Sequence, residues 1–383
     1  MAVKFRGEWR LIRMEMTSNT LSYLDLVPLQ QSFDLTFDVD NTLVRGNIHL
    51  LDRINALSLY KIRGGETIEL EFSAMDESEY NIELVVTAVN VSEVSPGLRK
   101  YTLAVESVYL QQFLKHYSCG LQGTISSQVR SFVTQIMGIN QPIETHDTNW
   151  QMNFTVNGWT GFNTIEFLES RSMSKTTNGG FRFFQVADGF KFISVADRLD
   201  ERPIRTFTKH EEIDAFSVNI YTFDDIKIEK AGSFVDMIDG GYRSTLYTFD
   251  PFKKSYATFK HSTTNVIDEP YVVEDISKFF RYSYSESHPT MPTPRIIESF
   301  SKRKEIDQLF DDFVISIRVP GSIDNQPGDI IELFAAEGSR GNNGERSSDE
   351  YVSGKYMISR VACLLGENFM QRLTLKRLKD ESN

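Results

Sequence analysis

The 383-residue chain is 40% apolar, with 28 Phe and 15 Tyr against 3 Trp, enough for packed cores in two to four domains and rich in strand-forming residues. Its formal charge of -12, from 53 acidic and 41 basic residues, does not suit a surface built to grip phosphate backbones; it suits one past which nucleic acid slides, and ordinary solubility explains the same number. Two cysteines, Cys119 and Cys363, exclude a disulfide framework, and no apolar run approaches the roughly 18 residues of a membrane-spanning helix, so no stable membrane insertion is expected. The charged start MAVKFRGEWRLIRM has no apolar h-region, so no signal peptide is expected and folding in a reducing cytoplasm is.

Residues 1–115 read as a first β-barrel. Phe33, Leu35, Phe37 and Val39 alternate with polar residues, as do Ile68, Leu70 and Phe72, and strand-like runs cover 82–89 and 101–105. Gly64-Gly65 and Ser95-Pro96-Gly97 mark turns. Residues 116–210 read as a small α/β domain. Helices are predicted over 106–117, over 124–137 from the stripe Ile125, Val129, Phe132, Val133 and Ile136, and over 161–172 from Phe162, Ile165 and Leu168. The stretch 181–195, rich in Phe, reads as a β-hairpin packed on those helices. Residues 211–311 form a strand-rich connector and the start of a second barrel region, with strands at 215–223, 242–249 and 256–259 and a helix over 291–310. Residues 312–383 complete a second β-barrel, opening on Phe313, Ile315, Ile317 and Val319. The expected fold class is therefore mainly β with an α+β insert, two similar small β-barrels flanking an α/β domain.

A faint duplication supports the paired barrels. FDLTFDVDN, GGETIELEF, NIELVVTAV and LRKYTLAVESV near the front are echoed by FVISIRVPG, GDIIELFA, GKYMISRVA and MQRLTLKRLKD near the back. The order of alternating strand, glycine turn, I-E-L strand, polar loop, strand and closing strand is the same in both.

No established catalytic motif is present, and the six histidines, at 49, 116, 146, 210, 261 and 288, lack ligand spacing. A metal site at His146 and Asp147 would need a distant partner. Asp34, Asp38, Asp40, Glu69 and Glu71 alternate with apolar residues, the mark of a solvated strand face rather than of a paired acid and base. Asp224-Asp225, Asp311-Asp312 and the pair Asp236 and Asp239 do not reproduce a calcium loop. No catalytic residue, cofactor or metal is assigned.

The stretch VPGSIDNQPGDIIELF with DEYVSGKYMISRVACLLGENFMQRLTLKRLKD resembles the C-terminal barrel of the baseplate hub proteins of contractile-tailed phages, which are similar to the front part of type VI secretion spike proteins. GFNTIEFLESRSMSKTTNGGFRFFQVADGFKF looks like that family's helix and aromatic hairpin, and DGGYRSTLYTFDPFKKSY like its connector. The resemblance covers about 80 residues as local pattern and most of the chain as an order of elements. It implies a structural role without enzymatic activity, in a homotrimer whose six tube-like domains meet the hexameric tail tube. A central spike or puncturing protein would sit below, wedge proteins around, and DNA would pass through the lumen without specific binding. The expected location is the virion tail baseplate, assembled in the host bacterial cytoplasm. Some hubs carry a fused cell-wall enzyme; with the last strand ending near Leu378 and the sequence at Asn383, none is expected here. The competing reading is a polysaccharide-active enzyme or carbohydrate-binding module, and a further one a tail or wedge protein that shares only a barrel.

One loop stands out. Residues 335–350, AAEGSRGNNGERSSDE, hold no apolar residue after Ala336 and bury too little to be ordered alone. Ser339, Arg340, Asn342, Asn343, Glu345 and Arg346 are its candidate interface residues.

Overall fold

The computed structural model describes residues 7–18, 23–53, 57, 60–74, 79–149, 151–177, 179–209, 221–231, 310–311, 313–340, 346–349 and 351–377. It also describes the backbone of 243–250, 255–262 and 283–287, and for 336–340 and 346–348 it describes the backbone alone. The first strands are β1 (Arg10–Thr17), β2 (Tyr23–Asp25), β3 (Gln30–Asp38), β4 (Arg45–Asp52), β5 (Thr67–Ser73), β6 (Glu79–Ser95) and β7 (Leu98–Ser107). There follow α1 (Leu110–Leu114), β8 (His116–Leu121), α2 (Ile125–Ser131), β9 (Ile143–Thr145), β10 (Phe154–Thr160), α3 (Gly161–Arg171), β11 (Phe181–Val186), β12 (Gly189–Ser194) and α4 (Val195–Asp200). Next come β13 (Arg205–Lys209), β14 (Thr222–Phe223), β15 (Asp225–Ala231), β16 (Arg243–Asp250), β17 (Ser255–Ser262) and β18 (Ser283–Ser287). The last are β19 (Phe313–Pro320), β20 (Ile330–Phe334), β21 (Ala336–Arg340), β22 (Arg346–Ser348), β23 (Gly354–Leu365) and β24 (Phe369–Arg377).

The chain is mainly β with an α+β insert, but two β-barrels do not form. Fourteen strands share one open sheet, in the order β14-β13-β20-β23-β3-β4-β7-β6-β5-β1-β2, with β24, β19 and β15 branching from β23. Among the described residues no sheet closes on itself. Closure requires the last free edge to meet the first in a consistent stagger. Here β3 of the front half joins β23 of the back half instead, from Asp38 opposite Arg360 to Phe33 opposite Leu365. The two expected cores are accordingly one: Phe33, Leu35, Ile68, Leu70 and Phe72 belong to the same apolar cluster as Ile315, Ile317, Leu373 and Leu375.

The insert has its own core, where Phe113, Ile125, Val129, Phe132, Ile165 and Leu168 meet Phe181, Phe183, Phe190 and Phe192. The Thr124 and Thr160 hydroxyls accept from the N–H groups of Ser127 (3.3 Å) and Asn163 (3.2 Å), capping α2 and α3. The helix expected over 106–117 is only five residues long, because from His116 the chain pairs as β8 with β10. The helix expected over 124–137 ends at Ser131 and continues through a wider π-helical turn over Phe132–Ile136. β16 pairs with β17 antiparallel and with β18 parallel in a separate sheet. The helix expected over 291–310 falls, but for Phe310, outside the described residues, as does most of the strand expected over 215–223.

Candidate assembly interface

Two glycine turns define matching points in the halves of the sheet. Gly65, at φ 88°, donates its N–H to the Val86 carbonyl (2.7 Å), and Val86 donates back to Glu66 (2.8 Å). Gly328, at φ 84°, donates to Ile358 (2.8 Å), and Ile358 donates back to Asp329 (2.9 Å). Only glycine takes this left-handed backbone without strain. Outward from those turns the antiparallel ladders β5-β6-β7-β4-β3 and β20-β23-β24-β19-β15 match strand for strand.

The match extends to single residues. Ile68 to Leu70 opens β5 as Ile331 to Leu333 opens β20, with Ile68 opposite Leu84 and Ile331 opposite Tyr356. Val86 faces Val105 and Ile358 faces Leu375; each pair precedes a one-residue bulge, at Thr87 and at Ser359. Val105 in turn faces Gly46, and Leu375 faces Ile315. Gly46 faces Leu35, and Ile315 faces Ile228. By this register β19 occupies the place of β4, whereas the sequence comparison aligns it with β3.

One difference separates the halves. Beyond its bulge, β23 pairs on its outer edge with β3, and at that joint Cys363 and Leu35 lie opposite each other, both fully buried. Beyond its own bulge, β6 has no outer partner among the described residues, and neither has the outer edge of β15. The matching residues are exposed, Val91 at 54% and Ile228 at 42%. Val94, at 58%, extends the apolar edge. Soluble proteins rarely leave such an edge bare, because it templates pairing with another strand.

No family model matches the sequence, and no curated relative matches it either. Solved structures do. The tail protein from Neisseria meningitidis MC58 superposes at a TM-score of 0.57 with 11% identity, covering 95% of this chain and 96% of that one. The 43 kDa tail protein of prophage MuSo2 from Shewanella oneidensis superposes at 0.59 with 7% identity, covering 95% and 98%. This chain has the fold of a prophage tail protein. A component of the Escherichia coli type VI secretion system aligns less closely, at a TM-score of 0.49 and 9% identity over 98% and 78% of the two chains; the fold assignment rests on the first two.

In this tail-protein fold the α/β insert docks on one of the two glycine turns. Arg198 Nε donates to the Gly328 carbonyl (2.9 Å), and Lys191 Nζ reaches the Pro327 carbonyl (3.3 Å) and Asp329 Oδ1 (3.1 Å). A Cβ on Gly328 would stand 2.9 Å from Ile193 Cδ1 and 3.1 Å from Phe184 Cζ, so the turn is packed as well as bonded. The front turn is capped from within, Glu66 accepting from the N–H groups of Arg63 and Gly64 (both 2.8 Å). His146 lies beside this seam, 4.0 Å from Asp197 and 3.9 Å from Glu201. Burial, aided by the Arg198 guanidinium, holds its imidazole below the ordinary value despite those carboxylates.

The acidic residues of β3 are not a uniform solvated face. Asp38 is buried at 3%, accepts from Arg360 Nη2 (2.7 Å) across the β3–β23 joint, and receives Asp40 N–H (3.0 Å) and Asn41 Nδ2 (3.0 Å). Asp40 bonds Arg182 and Lys376. Burial works against its carboxylate, but Lys376 and then Arg182 outweigh it and hold the group below the usual carboxylate range. Among the described residues no group of three or more His, Cys, Asp or Glu side chains is placed to hold a metal ion.

The polar loop contains a two-stranded ladder of its own, with Ala336 opposite Ser348 and Arg340 opposite Arg346. Self-pairing satisfies backbone groups without apolar burial, the route that composition alone does not weigh. Ser339 and Arg340 thus stand on β21 and Arg346 on β22; Asn342, Asn343 and Glu345 lie outside the described residues.

Proposed function

We propose that the chain is a structural hub of a contractile, phage-like tail, with an architectural role and no reaction of its own. Three copies would form a ring in the virion baseplate that joins the hexameric tail tube to a central spike or puncturing protein, with wedge proteins outside and a lumen through which DNA passes without specific contacts. The carrying observation is the five-strand unit that occurs twice in one chain, on a fold matched end to end by two tail proteins. Two like units per chain give a threefold ring six like surfaces, the count a hexameric tube needs. The working division is 1–115, 116–210, 211–311 and 312–383, its first and last segments carrying most of the repeated strands. Light scattering on the purified protein should give a mass near three times 43.9 kDa, with binding to recombinant tube protein. A monomer at tens of micromolar that ignores the tube would overturn the reading.

A further inference from the structure

We infer that the solvent face of the sheet where β19, β24 and β23 run side by side is a docking surface for an acidic peptide segment that carries an apolar side chain. The inference concerns one face of one chain and does not need the ring reading above.

The first observation is a pair of like charges. Arg318 on β19 lies directly opposite Arg372 on β24, and both are exposed. Their neighbours Ile317 and Leu373 are buried in the shared core, so the two arginines stand on the other face of the sheet. Like charges directly opposed across a ladder are destabilising, and an anion laid between them removes the cost. The chain supplies none: among the described residues neither guanidinium has an ion pair or a hydrogen-bond partner. Asp225 on β15 is opposite Arg318 in register but forms no ion pair with it. Arg360, on the same face, is by contrast already held by Asp38 at 2.7 Å.

The second observation is apolar. Arg372 faces Ala362 on β23, and two residues further along the same face Leu364 is 47% exposed, opposite Met370. Residues two apart on one face of a strand lie roughly 7 Å from each other, so the leucine and the paired arginines form one patch. The acid beside that leucine, Asp34 on β3, receives Asn47 Nδ2 at 3.2 Å and is engaged within the chain.

The mixture selects the occupant. A duplex carries one negative charge per about 1.7 Å of its axis and presents no aliphatic group to cover a leucine. It would also cross Asp225 and Asp34, which flank the patch, on a chain whose formal charge is -12. A peptide brings a few carboxylates at residue spacing together with an apolar side chain. Opposed residues of an antiparallel pair have Cα atoms about 4.5–5.5 Å apart, so a single carboxylate can bridge the two guanidinium groups or two can take one each.

The test uses a defined probe, an Asp-Glu-Asp-Leu-Glu-Asp peptide carrying a neutral dye, followed by fluorescence anisotropy on the full chain. Binding should saturate in low salt and weaken as salt is added. Arg318→Gln combined with Arg372→Gln should weaken it about tenfold, and Leu364→Ser about threefold. A peptide with serine in place of its leucine should lose the same factor on the parent protein and nothing further on Leu364→Ser, which ties the two leucines together. The three protein side chains are exposed, so the variants should melt with the parent, and Arg372→Gln alone no lower. An absence of saturable binding at millimolar peptide, or binding indifferent to the arginine pair, would overturn the inference. So would an oligothymidine that binds more tightly than the peptide and ignores Leu364, which marks a face for polyanions at large. An oligomer whose mass falls in the arginine variant would overturn it too, by showing the face covered by a second copy. The hub reading is decided separately, by the parent's mass and its binding to tube protein.

Discussion

Gln371 on β24 holds a polar knot in the shared core, and its replacement by leucine should be among the costlier single changes in the molecule. The side chain is fully buried. Its Oε1 accepts from Asn325 Nδ2 (2.8 Å) and from the Ser322 N–H (3.2 Å), and its Nε2 donates to the Ser322 carbonyl (2.9 Å) and the Tyr80 hydroxyl (3.2 Å). In Gln371→Leu the Ser322 carbonyl keeps the Tyr80 hydroxyl as donor at 2.8 Å, but the Ser322 N–H and Asn325 Nδ2 lose the acceptor they share. Each buried hydrogen bond lost with that acceptor costs about 1–3 kcal/mol, and the added apolar burial returns part of that, leaving roughly 2 kcal/mol net. Urea unfolding followed by tryptophan fluorescence measures it, since Trp9 stands edge-on to Phe33 and Phe72 in the same core. Asn325→Ala removes one of those two donors in advance, so the double variant should cost at least about 1 kcal/mol less than the two singles summed. A single-variant loss below about 1 kcal/mol, or strict additivity, would refute the reasoning.

Four further outcomes are expected. Gly46→Ala places a Cβ 1.9 Å from the Asp34 carbonyl on the neighbouring strand, where only backbone is available to yield, and should abolish soluble expression, whereas Gly120→Ala meets open space and should melt within a degree or two of the parent. A histidine whose folded pKa is depressed contributes stability above its unfolded value and loses it as pH falls, so stability should decline from about pH 6.5 downward, and His146→Gln should flatten that decline in pH-dependent urea titrations. Burial pushes the Cys363 thiol up to about 12, so thiol reagents at pH 8 should leave it unlabelled until the protein unfolds. Replacing 338–348 with a short Gly-Ser turn should leave the oligomer intact and impair tail assembly, and fully normal assembly would reduce the hairpin to decoration.

The repeat was legible in the sequence because Ile68-Glu69-Leu70 and Ile331-Glu332-Leu333 are local patterns, each a few residues after a glycine. Sequence likeness alone misaligns the repeat at β19, since period-two alternation shows that a segment is a strand without naming its neighbours. FVISIRVPG looks like FDLTFDVDN, yet the register gives it the place of RGNIHLLD. Barrel closure was unreadable for the same reason: it depends on which edge β3 joins, and that partner lies at the far end of the chain. Parity alone assigns Asp38 to a solvated face, because its partner Arg360 is not a neighbour in sequence. The apolar edge of β6 was cut short at Val89, where the alternation fades into Asn90-Val91-Ser92, although the strand runs to Ser95.

The β3–β23 ladder also sets a schedule for folding. Phe33 meets Leu365, so β3 is synthesised more than three hundred residues before its partner. At about 5–20 residues per second, its outer edge stands uncovered for roughly a quarter of a minute to a minute on the ribosome. Contacts this distant form slowly, and a bare strand in that interval invites pairing with other nascent chains. Asp34 and Asp38 sit on that strand, and carboxylates spaced along an edge repel a second copy of itself while it waits. When β23 arrives, Arg360 neutralises Asp38. The charge that keeps the early strand apart from its own kind is the one the late strand consumes.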